Sequence, residues 1–329
     1  MLLRPARRMI LFQGPVFTLD LRKTTLDSRV TFSRASSATD IFYTSSNGNS
    51  YTSYTTDSPR LSATRGLLVE QARTNYLLNS MTPATQTTGS LTTGTYTLWV
   101  VGSGSAAVAG ATATITGAGT ASAGTPVTFT VTLAGTVTVT KDGGLDCFQL
   151  ENGGNPTTLI ITTGATATRA VETARVTPIP WWVAGVSSLA VEFTPLAYPY
   201  VTAQSQLASV GKGAASGNDG FRLRINGNTN TCITQILNGG TTVAAAASGA
   251  FSIGASHRYA AAYTAPGIRT ALDGTAGTAE ATAVLGTGQD TLGVGTPEST
   301  TTGRFGGYVG CIWAWISALS QDELNRITA

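Results

Sequence analysis

The chain has 329 residues, of which 42% are hydrophobic and only 11% charged, and its formal net charge is +3. Thr, Ala, Gly and Ser replace the missing charged residues, and this composition favours strands and turns over helices. A charge this weak argues against nucleic acid as a partner, and no segment approaches the ~18 consecutive apolar residues of a membrane-spanning helix.

The cysteines indicate the compartment in which the chain is made. Cys147, Cys232 and Cys311 lie far apart in sequence and show no Cys-x-x-Cys spacing. Neither a zinc site nor a disulfide framework fits this pattern, so we expect buried free thiols and a reducing cytoplasm. The apolar run from Met9 to Phe12 is too short for a signal peptide, and we expect a soluble protein that is not secreted by a conventional signal.

The basic residues are concentrated near the start of the chain, whereas residues 74–140 carry no charge. Two interpretations remain open: a solvated arm, or a docking segment that binds an acidic face of a larger assembly. Within this region, Val16–Leu21 alternates apolar side chains and predicts a strand.

Three phrases follow in order: TFSRASSAT from Thr31 to Thr39, then Pro59-Arg60, then GLLVEQARTNYLLNS from Gly66 to Ser80. Together they resemble a module of tailed-bacteriophage virion proteins, often found at the start of tail-fibre or spike-like chains. Asp57 stands where that module has Asn. The resemblance implies an extended N-terminal attachment segment over residues 1–79. The candidate virion-attachment residues are Arg4, Arg7, Arg8, Arg34, Arg60 and Arg73. Alternatively, such arginines form simple surface ion pairs worth under ~1 kcal/mol each.

Residues 80–177 predict an antiparallel β domain. Thr95–Val101, Pro126–Leu133 and Thr136–Thr140 alternate apolar residues with threonines, and Ala134-Gly135 predicts a turn between two strands. The phrase LDCFQLENG, which starts at Leu145, resembles the closing strand of a carbohydrate-binding-module-like jelly roll.

Residues 178–329 predict a second sandwich. HRYAAAYTAPGIRTALDG, from His257 to Gly274, reads as two short strands around a Pro-Gly tip. Its wording resembles the central hairpin of concanavalin A-like/laminin-G lectin domains. Ser320 and Glu323 form a capping box that predicts a short C-terminal helix. The predicted fold is therefore all-β: an extended segment, two antiparallel jelly-roll sandwiches and one short helix.

Groups that could perform catalysis are scarce. His257 is the only histidine, and we expect it to be structural. Glu192 lacks the neighbouring acid that glycoside hydrolysis requires, and Gly211-Lys212-Gly213 lacks the spacing of a P-loop. There is no calcium-loop pattern. The sequence thus predicts no enzyme, no cofactor and no metal.

Sugar recognition requires less, namely exposed aromatic faces and amide partners in loops. We expect core packing for Trp313 and Trp315 and a wedge between domains or subunits for Trp181-Trp182. The candidate glycan-binding residues are Tyr198, Tyr200, Asn218, Asp219, Asn228 and Asn230.

These patterns and resemblances lead to one functional prediction and two alternatives. We expect a structural protein of a phage or phage-derived particle, located in the virion as a tail fibre, baseplate or head spike and made in the bacterial host cytoplasm. Its expected partners are other virion proteins, further copies of itself and host surface polysaccharide. The alternatives are a glycan-degrading enzyme of the concanavalin-like superfamily that depends on Glu192, and an architectural protein without a ligand.

Overall fold

The computed structural model describes residues 13–196, 204–213, 219–226, 229–281, 284–298 and 303–329. The first strands are β1 Phe17–Asp20, β2 Val30–Ser33, β3 Ala38–Thr39, β4 Ser53–Tyr54, β5 Arg60–Ser62, β6 Gly66–Val69 and β7 Arg73–Asn75. The middle strands are β8 Gln86–Thr87, β9 Gly94–Gly102, β10 Ser105–Gly110, β11 Thr114–Thr116, β12 Thr120–Ser122, β13 Val127–Leu133, β14 Val137–Asp142, β15 Leu145–Asn152 and β16 Ala167–Arg169. The last elements are β17 Thr173–Val176, β18 Val186–Pro195, β19 Gln204–Gly211, β20 Gly220–Asn226, β21 Thr231–Asn238, β22 Thr241–Ala250, β23 His257–Thr264, β24 Gly267–Leu272, β25 Thr275–Ala276, β26 Thr291–Val294, β27 Gly307–Trp315 and helix α1 Gln321–Thr328.

Four antiparallel sheets pack as two sandwiches. In sandwich A, sheet 1 has the order β25-β24-β23-β18-β27-β6-β5 with β1 also beside β27, and sheet 2 has the order β2-β17-β26-β19-β20-β21-β22. In sandwich B, sheet 3 has the order β11-β13-β9-β15-β7-β16 and sheet 4 the order β12-β10-β14-β8. Each sandwich encloses its own buried apolar cluster. The predicted all-β fold with two antiparallel sandwiches and a short terminal helix is confirmed.

The strand pairing groups the chain differently from the predicted units 1–79, 80–177 and 178–329. Strands β1, β5 and β6 belong to sheet 1 and β2 belongs to sheet 2, so residues 17–69 do not form a separate extended segment. Sandwich B, formed by β7 to β16, is inserted into the chain of sandwich A. The chain enters and leaves the insertion through β7 and β16, which pair with each other.

The hairpin predicted around Pro266 is confirmed as β23 and β24. Its alternation places Tyr259 and Tyr263 in the core of sandwich A, while Ala260 and Ala262 lie on the opposite face under α1. The predicted capping box at Ser320 begins α1, as expected.

The turn predicted at Ala134-Gly135 joins β13 and β14, but these strands lie in different sheets. Alternation fixes which side of a strand faces the core and leaves its hydrogen-bonding partner open. Within the described part of the chain, no helix has the length and apolarity to cross a membrane. All three cysteines are buried free thiols, as predicted.

Candidate functional site

The outer face of sheet 1, which points away from sheet 2, carries a row of polar side chains. The cross-strand register places Asp20 opposite Cys311, Cys311 opposite Glu192, and Glu192 opposite Arg258. Side chains alternate along a strand, so Leu189, Val191 and Phe193 fill the core while Glu192 points outward. The row therefore combines side chains from four strands that lie far apart in sequence.

Glu192 bridges two arginines in this row. Its Oε1 accepts from Nη1 of Arg22 at 2.8 Å, and its Oε2 accepts from Nε of Arg258 at 3.1 Å. Arg22 also donates to Asp20 at 3.1 Å and to the Sγ atom of Cys311 at 3.3 Å. Burial, followed by the contact with Asp20, raises the pKa of the Cys311 thiol to about 12. Both carboxylate oxygens of Glu192 are thus engaged by guanidinium groups.

A second row on the same face contains Trp313, which lies opposite Thr18 on one side and Ala190 on the other. Helix α1 packs beside this row through Leu324, which is buried against Ala260 and Trp315. The small alanines leave room for the helix, and Trp313 remains partly exposed beside it. A cavity of about 260 Å³, here called the Trp313 groove, is lined by Pro15, Arg258, Trp313, Trp315, Arg326 and Ile327.

A larger cavity of about 470 Å³, here called the Glu192 cavity, lies on the other side of Arg258. Its residues come from the segment after β1, from β18, from β23 and the residues that flank the β23–β24 hairpin, and from the end of α1: Arg22, Glu192, Ser256, His257, Arg258, Asp273, Thr328 and Ala329. Arg258 lines both cavities. On the outer face of sheet 1, the Trp313 groove, which is lined by tryptophans, thus lies next to the Glu192 cavity, which is lined by polar and charged side chains.

His257 has the orienting partner that the sequence did not reveal. Its Nδ1 lies 2.6 Å from Oδ2 of Asp273, and its Nε2 lies 3.3 Å from Oγ of Ser252. The backbone amide and the backbone carbonyl of Ser252 also contact Nε2, at 3.1 and 3.0 Å, so the backbone engages this nitrogen in either tautomer. The ring packs between Phe193 and Phe251. These contacts tie the turn before β23 to the residue after β24, which agrees with a structural role.

Three of the predicted attachment residues are buried inside the molecule. Arg34, Arg60 and Arg73 are 1%, 2% and 3% exposed, so they are neither an attachment surface nor surface ion pairs. They belong to a junction network between the two sandwiches, whose ion pairs are Arg34–Glu172 at 2.8 Å, Arg60–Glu172 at 2.8 Å, Arg60–Glu70 at 2.8 Å, Arg169–Glu70 at 3.3 Å and Arg73–Glu151 at 3.5 Å. Arg4, Arg7 and Arg8 lie outside the described residues, and their role stays a prediction.

Other residues of the virion-like phrases also act at this junction. Ser36 Oγ accepts from the amide of Ala170 at 2.8 Å, and Thr39 Oγ1 donates to the carbonyl of Leu159 at 2.9 Å. Asn75 Nδ2 donates to the carbonyl of Ile160 at 2.9 Å. The phrases therefore supply polar side chains to the junction, through Ser36 and Thr39, and to sandwich B itself, through Asn75.

The predicted glycan-binding residues do not converge where the structure describes them. Asp219 accepts from Lys212 Nζ and from the amide of Gly239, both at 2.7 Å, and the hydrogen bond from Lys212 lowers the pKa of its carboxyl. Asn230 follows β20 in a left-handed conformation with φ of 50°. The length of β20 separates these two residues, because Asp219 precedes the strand and Asn230 follows it. Tyr198, Tyr200, Asn218 and Asn228 lie outside the described residues.

The sequence analysis also made predictions for Trp315, Trp181 and Trp182. Trp315 is buried as predicted, and its Nε1 donates to the carbonyl of Gln13 at 3.0 Å. The prediction that Trp181-Trp182 form a wedge between domains is wrong: Trp181 stacks on Phe17 at 4.5 Å, Trp182 packs against Phe221 at 5.6 Å, and both pack against the core of sandwich A. Among the described residues, no group of three or more His, Cys, Asp or Glu side chains is placed to hold a metal ion.

Comparisons with known proteins give distant structural likenesses only. No family model matches the chain, and no curated protein matches it. The carbohydrate-binding module CBM40 of the Ruminococcus gnavus IT-sialidase, bound to α2,3-sialyllactose, is 21% identical, with 45% of this chain and 84% of that chain covered and a TM-score of 0.39. Domain 4 of the Geobacillus stearothermophilus arabinanase AbnA, in complex with arabinotriose, is 12% identical over 50% of this chain and 77% of that chain, with a TM-score of 0.38. A Limulus polyphemus SAP-like pentraxin is 7% identical over 44% and 70%, with a TM-score of 0.34. These likenesses are too distant to bear on the ligand of this chain.

Proposed function

We propose that this chain is a structural protein of a tailed-phage-type particle that binds a cell-surface glycan through the Trp313 groove. The proposal of glycan binding rests on one observation: a partly exposed tryptophan lines a cavity together with Arg258 and Arg326. An indole face offers a flat apolar surface for the C–H face of a sugar ring, and the arginines offer hydrogen-bond donors for its oxygens. Small-molecule sites typically combine such apolar walls with a few polar groups.

The virion part of the proposal is supported by the ordered phrases between Thr31 and Ser80. Their polar side chains serve the junction between the sandwiches, so attachment to a particle would depend on other surfaces. The basic residues Arg4, Arg7 and Arg8 and the low-charge surface of sandwich B are the candidates. The proposal includes assembly of several copies of the chain. It does not distinguish between a tail fibre, a baseplate protein and a head spike.

The binding part is tested on an immobilised panel of bacterial surface glycans with the full chain and the variant Trp313→Ala. Loss of the indole face should weaken binding roughly tenfold or more, in line with the energy of aromatic stacking contacts. Tyr51→Ala is the matched control, because Tyr51 is 40% exposed and lies outside the groove. Unchanged binding by Trp313→Ala would rule out the groove, and absence of the chain from purified particles in immuno-electron microscopy would rule out the virion role.

A further inference from the structure

The charged residues that line the Trp313 groove are both cationic. Two of its six lining residues, Arg258 and Arg326, are cationic, and none of the six is acidic. Glu192 and Asp273 line the neighbouring Glu192 cavity instead, where they face Arg22, Arg258 and His257. Carboxylates contact or neighbour both arginines, Glu192 at Arg258 and Glu323 near Arg326, but neither of them lines the groove. The charged groups that an anion over the tryptophan would meet first are therefore the two guanidinium groups.

Arg258 is held in a fixed orientation at the boundary between the cavities. Its Nε donates to Glu192 at 3.1 Å, and its Nη1 donates to the backbone oxygen of Ala329 at 3.2 Å. Its guanidinium carbon lies 6.0 Å from the centre of the Trp313 ring. The side chain is nevertheless 43% exposed, so an oriented cation borders the Trp313 groove and remains accessible to a ligand. Preorganisation of this kind lowers the entropy that is lost on binding.

We propose that the groove selects a sugar residue that bears a carboxylate, with the sugar ring on Trp313 and the carboxylate between Arg258 and Arg326. This inference rests on the proposed glycan binding and narrows its ligand class. Guanidinium groups suit this ligand because their planar N–H groups match the two oxygens of a carboxylate. The neutral hydroxyls of the same residue, or the next sugar along the chain, would extend toward the Glu192 cavity.

The test uses pairs of glycans that differ only at the carboxylate. A glycan array carries oligosaccharides that contain a hexuronate or a nonulosonate, each beside its carboxyl-reduced form, and neutral oligosaccharides for comparison. Binding of the full chain to the array is measured at low salt. We expect the acidic member of a bound pair to bind roughly tenfold more tightly, with a preference that decreases as salt is added.

Variants assign this preference to the groove. Arg258→Gln combined with Arg326→Gln should bring the acidic member down to the level of its reduced form, whereas Arg269→Gln, an exposed arginine on the same sheet, should leave the preference intact. Circular dichroism verifies that each variant is folded. Equal binding within the pairs, or a preference that survives the double substitution, overturns the carboxylate inference while Trp313-dependent binding still supports the proposed function. Absence of binding to every glycan overturns both.

Discussion

Replacing Glu172 with glutamine should strongly destabilise the protein. Glu172 is 0% exposed and is the acceptor for Arg34 Nη1 at 2.8 Å and for Arg60 Nη2 at 2.8 Å. Its Oε2 also accepts the amide of Glu70 at 2.7 Å. The network contains four arginines and three glutamates, so its net charge is +1. The substitution raises this net charge to +2.

The expected cost follows from the burial of these groups. Removing one partner of a buried ion pair leaves an uncompensated charge in a medium that solvates it poorly, and such changes cost roughly 3–5 kcal/mol. Exposed pairs are worth only about 0.2–1 kcal/mol, because water and salt screen them. The two classes differ enough for an unfolding experiment to separate them.

Urea unfolding followed by tryptophan fluorescence measures the difference. The matched control is Asp27→Asn, which removes the carboxylate from a partly exposed ion pair, in which the side chain of Arg29 is 46% exposed and that of Asp27 is 13% exposed. Glu172→Gln should lower the unfolding midpoint far more than the control does. If the two variants lose the same free energy of unfolding, within about 1 kcal/mol, the junction network is no stronger than a surface pair and the expected cost is refuted.

Two further predictions concern individual side chains. Burial opposes the charge of Glu70, but Arg169 and Arg60 outweigh it and lower the pKa of Glu70 to about 2 from 4.5, so its stabilising contribution is present above about pH 5 and is lost as the pH falls toward 2. Thermal unfolding midpoints should therefore fall more steeply on acidification in the native protein than in Glu70→Gln, and parallel curves would contradict this. If the Ser252 backbone engages His257 Nε2, hydrolysis of p-nitrophenyl acetate should be the same for the native protein and Ser252→Ala; a roughly tenfold loss in the variant would instead identify Ser252 as a nucleophile.

The elements that sequence patterns predicted well are those whose partners are close in the chain. The hairpin of β23 and β24 and the capping box at Ser320 rest on contacts between neighbouring segments. The strands of sandwich B were predicted from their alternation alone, and their pairing, such as that of β13 with β9, was not. Leu19, by contrast, pairs with Ile312, and no local period reveals a partner at that distance. Alternation predicted β1, but the strands from β2 to β6 have only two to four residues, which is too short for alternation to show. The extended segment was expected from the resemblance alone.

The candidate site escaped prediction for related reasons. Charged residues are usually exposed, and that rule placed Arg34 and Arg60 on the surface although they are buried among glutamates. Trp313 was expected to lie in the core with Trp315; it packs against the apolar cluster that contains Trp315 and Leu324 but remains partly exposed. The groove needs β23, β27 and the terminal helix together, a combination that only the tertiary structure provides.

The insertion of sandwich B has a consequence for how the chain folds during synthesis. Strands β1 and β6 find their neighbour β27 only near the end of the chain, so they leave the ribosome long before their partner exists. Sandwich B, in contrast, has all its strands between β7 and β16 and can close while sandwich A is incomplete. Such long sequence separations slow folding. The early strands of sandwich A therefore remain unpaired with β27 for the longest time in the nascent polypeptide, and they most need protection from aggregation until β27 has been synthesised.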